Sequence, residues 1–107
     1  MATDTEFSKA LTLHRSGRLA EAESLYRSIL EMHAGHPGAL HLLGLIEISK
    51  KSNDGAVRLI RRSIETGGPN AMRLNDLGSA CRVAGDLNEA ADSFRSALNL
   101  KRDLTTA

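Results

Sequence analysis

The sequence predicts an all-α solenoid of three helix–turn–helix units, six antiparallel helices in all, and three observations carry that prediction. First, the chain lines up with itself at a spacing of 34 residues. GRLAEAESLYRSIL (17–30), KSNDGAVRLIRRSI (51–64) and GDLNEAADSFRSAL (85–98) share one pattern. The segments before them, TEFSKALTLHRS, ALHLLGLIEISK and RLNDLGSACRVA, fall into the same register. A fixed period of this size marks stacked supersecondary units rather than one wound core. Second, apolar residues recur at three- and four-residue steps, as in Leu87, Ala90, Ala91, Phe94, Ala97 and Leu98, which places them on one helical face. Third, apolar residues make up 41% of the 107 but aromatics only 3%, so the core is aliphatic and alanine-rich, as closely approaching helices require.

The elements follow in order. Helices are expected near 4–16, 19–33, 38–50, 54–66, 70–84 and 87–101, giving repeats 3–36, 37–70 and 71–104 within a single domain, 1–107. Gly17 and Gly85 separate the two helices of the outer repeats, and Ser52-Asn53-Asp54 does so in the middle one. Gly35-His36-Pro37-Gly38 and Gly67-Gly68-Pro69-Asn70 separate one repeat from the next. Each proline stands just before a helix, where its fixed φ is tolerated and its missing N–H costs little. Small residues recur at fixed places: Ala10, Gly44 and Gly78 at one, Ala22, Ala56 and Ala90 at another. They let paired helices approach until Tyr26, Ile60 and Phe94, then Leu30, Ile64 and Leu98, interlock.

Charge and cysteine content narrow the function classes. The net charge is +1, which gives no global pull toward nucleic acid or an acidic membrane. The repeats carry four basic against five acidic residues, five against three, and five against five. The middle excess lies in Lys50, Lys51, Arg58, Arg61 and Arg62; without aromatics beside it, this run reads as a solvated convex face. A single cysteine, Cys81, leaves no internal disulfide and suits a reducing compartment. The acidic first residues are not followed by an apolar signal region, and no apolar run approaches the ~20 residues that span a bilayer. A cytoplasmic protein is expected.

The recurring residues resemble the tetratricopeptide repeat (TPR). Leu43-Gly44 and Leu77-Gly78 match the Leu-Gly pair of its first helix, while Gly17…Ala22…Tyr26 and Gly85…Ala90…Phe94…Ala97 match its turn and second helix. The resemblance covers 3–104 and implies a right-handed superhelix. The stretch from His36 to Gly44 also looks like bacterial arrays that precede glycosyltransferase or sulfotransferase domains. There are departures. Lys9-Ala10 replaces the Leu-Gly pair in the first repeat, Lys51 replaces the turn glycine in the middle one, and Glu47 stands where a tyrosine is usual. A partly buried Glu47 needs a partner, expected to be Arg82 or Lys51. No polar capping helix is recognisable after residue 101.

The resemblance also implies a concave groove lined by the first helix of each repeat. Phe7, Ser8, Leu11 and His14 fall there in the first repeat; Gly38, His41, Leu42, Leu45 and Ile48 in the second; Met72, Asn75, Asp76, Ser79 and Arg82 in the third. The apolar middle favours an amphipathic helix or an apolar extended peptide. Two ligand schemes of the family fail on these residues. The clamp for acidic chaperone tails needs Lys, Asn and Arg where Phe7, Leu11, Leu42, Met72 and Asp76 stand. The asparagine ladder of the O-linked N-acetylglucosamine transferases would meet Ser8, Leu42 and Asp76.

No constellation for catalysis or for a cofactor stands out. His33, His36 and His41 lie close in sequence, but no HExxH pattern or nearby cysteine joins them, so solvated turn histidines are expected rather than zinc ligands. Cys81 sits at a core position without a base and is expected to be inert. The reading is therefore a non-enzymatic adaptor whose groove takes a protein or peptide, oriented by Asp76 and Arg82. The alternatives are a substrate-recognition module at the N-terminus of a larger, glycosyltransferase-like enzyme, and a scaffold that self-associates through its uncapped C-terminal helix.

Overall fold

The computed structural model describes the backbone of residues 2–106 and the side chains of residues 3–102. The described residues form six α-helices and no strand: α1 (Ala2–Arg15), α2 (Leu19–Met32), α3 (Pro37–Ser49), α4 (Asn53–Gly67), α5 (Ala71–Ala84) and α6 (Leu87–Thr106). Helices pair as α1/α2, α3/α4 and α5/α6, and each pair stacks on the next through α2/α3 and α4/α5. The result is an all-α helical-repeat solenoid with principal extents of 36 × 34 × 25 Å. The helix ends fall close to their expected places, except that α6 runs on past residue 101 to Thr106.

Local chemistry explains the boundaries. Gly85 ends α5 at φ 93°, and Gly17 turns the chain at φ 84° in the first repeat. In the middle repeat the reversal is made by Lys51 at φ 65°, ahead of the expected Ser52-Asn53-Asp54 break. A side chain in this left-handed region costs about 1–2 kcal/mol relative to glycine. Three helix starts carry side-chain caps: Nδ1 of His36 accepts from the Ala39 amide at 3.1 Å, Oδ1 of Asn70 from the Arg73 amide at 2.7 Å, and Oδ1 of Asp86 from the Glu89 amide at 3.3 Å. Pro37 is the first residue of α3, one residue earlier than the expected start, where its missing N–H costs little.

The core runs as two apolar clusters. The first joins Ala10, Ala22, Tyr26 and Ile29 to Ala39, Leu43 and Ile46 of α3. The second joins Ala56 and Ile60 of α4 to Leu77, Ala80, Cys81 and Ala90. The small residues act as the sequence implies. A Cβ at Gly44 would lie 2.6 Å from Ile60 Cγ1, and one at Gly78 would lie 2.7 Å from Phe94 Cε1.

Ion pairs tie the stack together across the boundaries between repeats. Arg27 reaches Glu47 at 3.3 Å and Lys50 lies 3.7 Å from it. The partners of Glu47 are thus Arg27 and Lys50, not the expected Arg82 or Lys51, because the face of α3 that carries Glu47 looks back toward α2. Lys50 also binds Glu23 at 3.1 Å, and this contact holds the Glu23 carboxyl below its ordinary range. Arg61 pairs with Glu89 across the next boundary. All three cations are about half exposed, so each such pair is worth ~1 kcal/mol or less.

Candidate functional site

The first helices α1, α3 and α5 lie side by side and leave a groove of about 490 Å³ between them. Its apolar surface comes from Phe7 and Leu11 of α1, Leu42 and Leu45 of α3, and Met72 of α5. Gly38 lets α3 approach α1, since a Cβ there would lie 2.6 Å from Phe7 Cζ. Phe7 also packs on the His36 ring, with centroids 4.9 Å apart. The α3 cap and the groove wall therefore share one aromatic contact.

The polar lining consists of His14, His41 and Asn70, with Arg15 and Arg73 as its charged members. No carboxylate is among the described residues that line it. Nη1 of Arg73 donates to the carbonyls of Gly67 and Gly68, which holds this side chain along the rim, and its buried Nε has no hydrogen-bond partner. Nε2 of the buried His41 lies 2.7 Å from Oδ2 of Asp76, a contact that joins α3 to α5 under the groove. His14 Nδ1 lies 3.0 Å from the hydroxyl of the fully buried Tyr26. Burial pushes the Tyr26 hydroxyl up to about 12 and lowers the His14 imidazole, so the two meet as neutral partners.

Of the expected groove residues, Leu11, His41, Leu42, Leu45 and Met72 come together in this lining. Ile48 packs against the second core cluster, Asp76 is turned to His41, Ser79 is half-buried and Arg82 is exposed; none of these four lines the cavity. Arg15, Asn70 and Arg73 line it without having been picked out. Arg15 follows Leu11 by four residues and shares its helical face, but the positions implied by the resemblance ended at His14 in the first repeat and began at Met72 in the third without including Arg73. A charge count over residues flanking the expected groove was the available signal.

Elsewhere the other candidates are accounted for. His33 is exposed and stacks edge-on against His36, whose Nδ1 already accepts the α3 cap bond. Among the described residues no three His, Cys, Asp or Glu side chains converge as a metal site. Cys81 is fully buried, and burial pushes its thiol up, away from the reactive thiolate. Among the described residues no helix is long and apolar enough to cross a membrane.

Neither a protein-family model nor a curated protein matches the sequence. Solved structures do match. The second TPR of Spaghetti (RPAP3), bound to the HSP90 peptide SRMEEVD, superposes with a TM-score of 0.85 at 17% identity, over 92% of this chain and 91% of that one. The protein has the tetratricopeptide-repeat fold. A MamA structure gives a TM-score of 0.85 at 16% identity over 98% of this chain, and MamA AMB-1 gives 0.80 at 25% identity over 94%. This TPR chain spans 61% and 55% of those two MamA chains.

Proposed function

We propose that this TPR protein is an interaction module, without catalysis of its own, that holds a segment of another protein in its concave groove. One observation carries the reading: an apolar cavity of about 490 Å³ spans all three repeats and has two arginines but no carboxylate among the described residues of its lining. Leu11, Leu42, Leu45 and Met72 supply apolar area, at about 25 cal/mol per Å² removed from water. Arg15 and Arg73 take over the orienting role expected of Asp76 and Arg82. The ligand is a helical or extended segment that places apolar side chains on the floor and an acidic group at the rim. A TPR of the same fold that is bound to a peptide supports the interaction role.

The experiment is a capture from native lysate by the wild-type chain and by Leu11→Arg. Leu11 lines the groove but belongs to neither core cluster, so this change leaves the stack intact. Leu45→Arg, the stronger change, also disturbs packing on the second cluster. A partner retained by the wild type and lost with Leu11→Arg, at unchanged helicity, supports the groove. Equal capture by both sinks it.

A further inference from the structure

Two polar side chains of the concave groove have one side committed to the protein and the other left for a ligand. The first is His14, in the last turn of α1 and half-buried in the groove wall. Its Nδ1 lies 3.0 Å from the hydroxyl of Tyr26, a residue with no exposed surface. Burial keeps that hydroxyl protonated, with its value pushed up to about 12, and His14 is its one hydrogen-bond partner among the described residues. A proton on Nδ1 would leave the Tyr26 O–H facing a second donor, and a buried donor without an acceptor is costly. Tyr26 therefore donates to Nδ1. The neutral imidazole, which burial also favours, carries its own proton on Nε2.

The second is Asn70, the exposed residue that caps α5. Its Oδ1 accepts from the Arg73 amide at 2.7 Å, which engages the oxygen and leaves the two Nδ2 protons to point elsewhere. Each group is thus fixed as a donor by the bond that its other side makes. They stand at opposite ends of the groove, because α1 and α5 run in the same direction and His14 closes one while Asn70 opens the other. Between them lies the apolar floor of Leu11, Leu42, Leu45 and Met72. His41 is buried, and its bond to Asp76 holds the floor from below.

We infer that His14 and Asn70 determine the backbone form of the ligand: Nε2 of His14 and Nδ2 of Asn70 each donate to a main-chain carbonyl of an extended protein segment laid across this floor. The inference rests on the groove being the ligand site. A helical ligand cannot serve both donors, because its carbonyls are bonded within the helix except in the last turn, and that turn reaches only one end. An extended chain keeps carbonyls free along its length, with side chains alternating between floor and solvent. The neutral donors therefore read the main chain, while Arg15 and Arg73 attract an acidic side chain at the rim.

The probe is a set of linear peptides selected on the wild-type chain from a random display library, then synthesised with a fluorophore for anisotropy titration. Leu11→Arg should abolish their binding. His14→Phe keeps a ring in the wall but removes the N–H, and should weaken binding about five- to tenfold, the worth of one neutral hydrogen bond. Because it also strands the Tyr26 hydroxyl, His14→Phe/Tyr26→Phe is measured beside it and should show the same loss at wild-type helicity. Tyr26→Phe alone retains the imidazole and should bind within about twofold of wild type, which separates the donor from the packing. Asn70→Asp keeps the α5 cap while replacing both N–H donors, and should weaken binding as well. Nitrogen–proton correlation NMR of the free chain should show His14 protonated on Nε2 alone. A proton on Nδ1 overturns the inference, as does a bound peptide whose carbon shifts are helical. Binding lost with Leu11→Arg but unmoved in the double variant also overturns it, and leaves the groove standing as the site. Binding unmoved by Leu11→Arg sinks the groove and this inference together.

Discussion

The two apolar clusters are variations on one packing scheme and meet their surroundings differently. The first, from α1 to the inner side of α3, is closed by a polar α1 and centres on Tyr26, whose ring and hydroxyl are both enclosed. The second, from α4 to α6, has Phe94 at the corresponding place, only partly covered, with Leu98 and Met72 in solvent beyond it. The same repeat position is thus a core anchor at one end of the molecule and a surface at the other. What decides between them is whether a further helix stacks on it. In a solenoid, each unit's contribution to stability depends on its neighbours as much as on its own residues.

The sharpest way to break this comparison is to truncate the two rings. Tyr26→Ala should cost ~3–5 kcal/mol, as removal of an enclosed aromatic does, whereas Phe94→Ala should cost less than half as much. Urea denaturation followed by circular dichroism measures both; equal losses would mean that the end face is covered in solution. The two glycines beneath the rings give the next largest difference. Gly44→Ala must displace Ile60, which is held on all sides, and should cost ~1–3 kcal/mol despite a better helix propensity. At Gly78 the same change meets Phe94, which can swing toward the open end, so the loss should be smaller or absent.

The turns differ as well. Gly17 and Gly85 take positive φ without strain, and Lys51 does not. Lys51→Gly should raise stability by about 1 kcal/mol, while Gly85→Ala should lower it by a similar amount. The smallest expected effect is that of acid. Burial lowers the imidazoles of both His14 and His36, and all four histidines lie before residue 42. A depressed folded-state value means that the unfolded chain takes up the proton first. Stability is therefore complete above the ordinary histidine value of about 6.5 and falls as pH drops below it toward the folded-state values. Amide exchange at about pH 5.5 against about pH 7.5 should show protection lost from α1 to α3 before α4 to α6. His36→Asn, which keeps a cap acceptor but does not titrate, should narrow that gap.

The fold was legible in the sequence because its determinants are local and repeated. Leu43-Gly44 and Leu77-Gly78 announce the close helix crossings that the structure shows, and Pro37 and Gly85 mark a helix start and a helix end. The groove was legible in part. Leu11, Leu42, Leu45 and Met72 stand at the positions that the family resemblance implies for a groove, and all four line the cavity. His41 and Asp76 share the groove helices, but the sequence could not show that they bind each other, since that contact joins residues on two different helices. Ile48 lay on a stripe too broad for phase to separate groove from core. Arg15 and Arg73 escaped notice because the positions implied by the resemblance did not include them, although Arg15 shares a helical face with Leu11.

The sequence by itself determined the period, the six helices, the small-residue crossings and the polar character of α1. Each of these is written in residue type and spacing over a turn or two of helix. Only the tertiary structure decided which charged groups meet: Arg27 and Lys50 at Glu47, Arg61 at Glu89, His41 at Asp76. The reason is physical. Spacing fixes the direction in which a side chain leaves its own helix, but its partner is set by the angle and distance at which a second helix arrives.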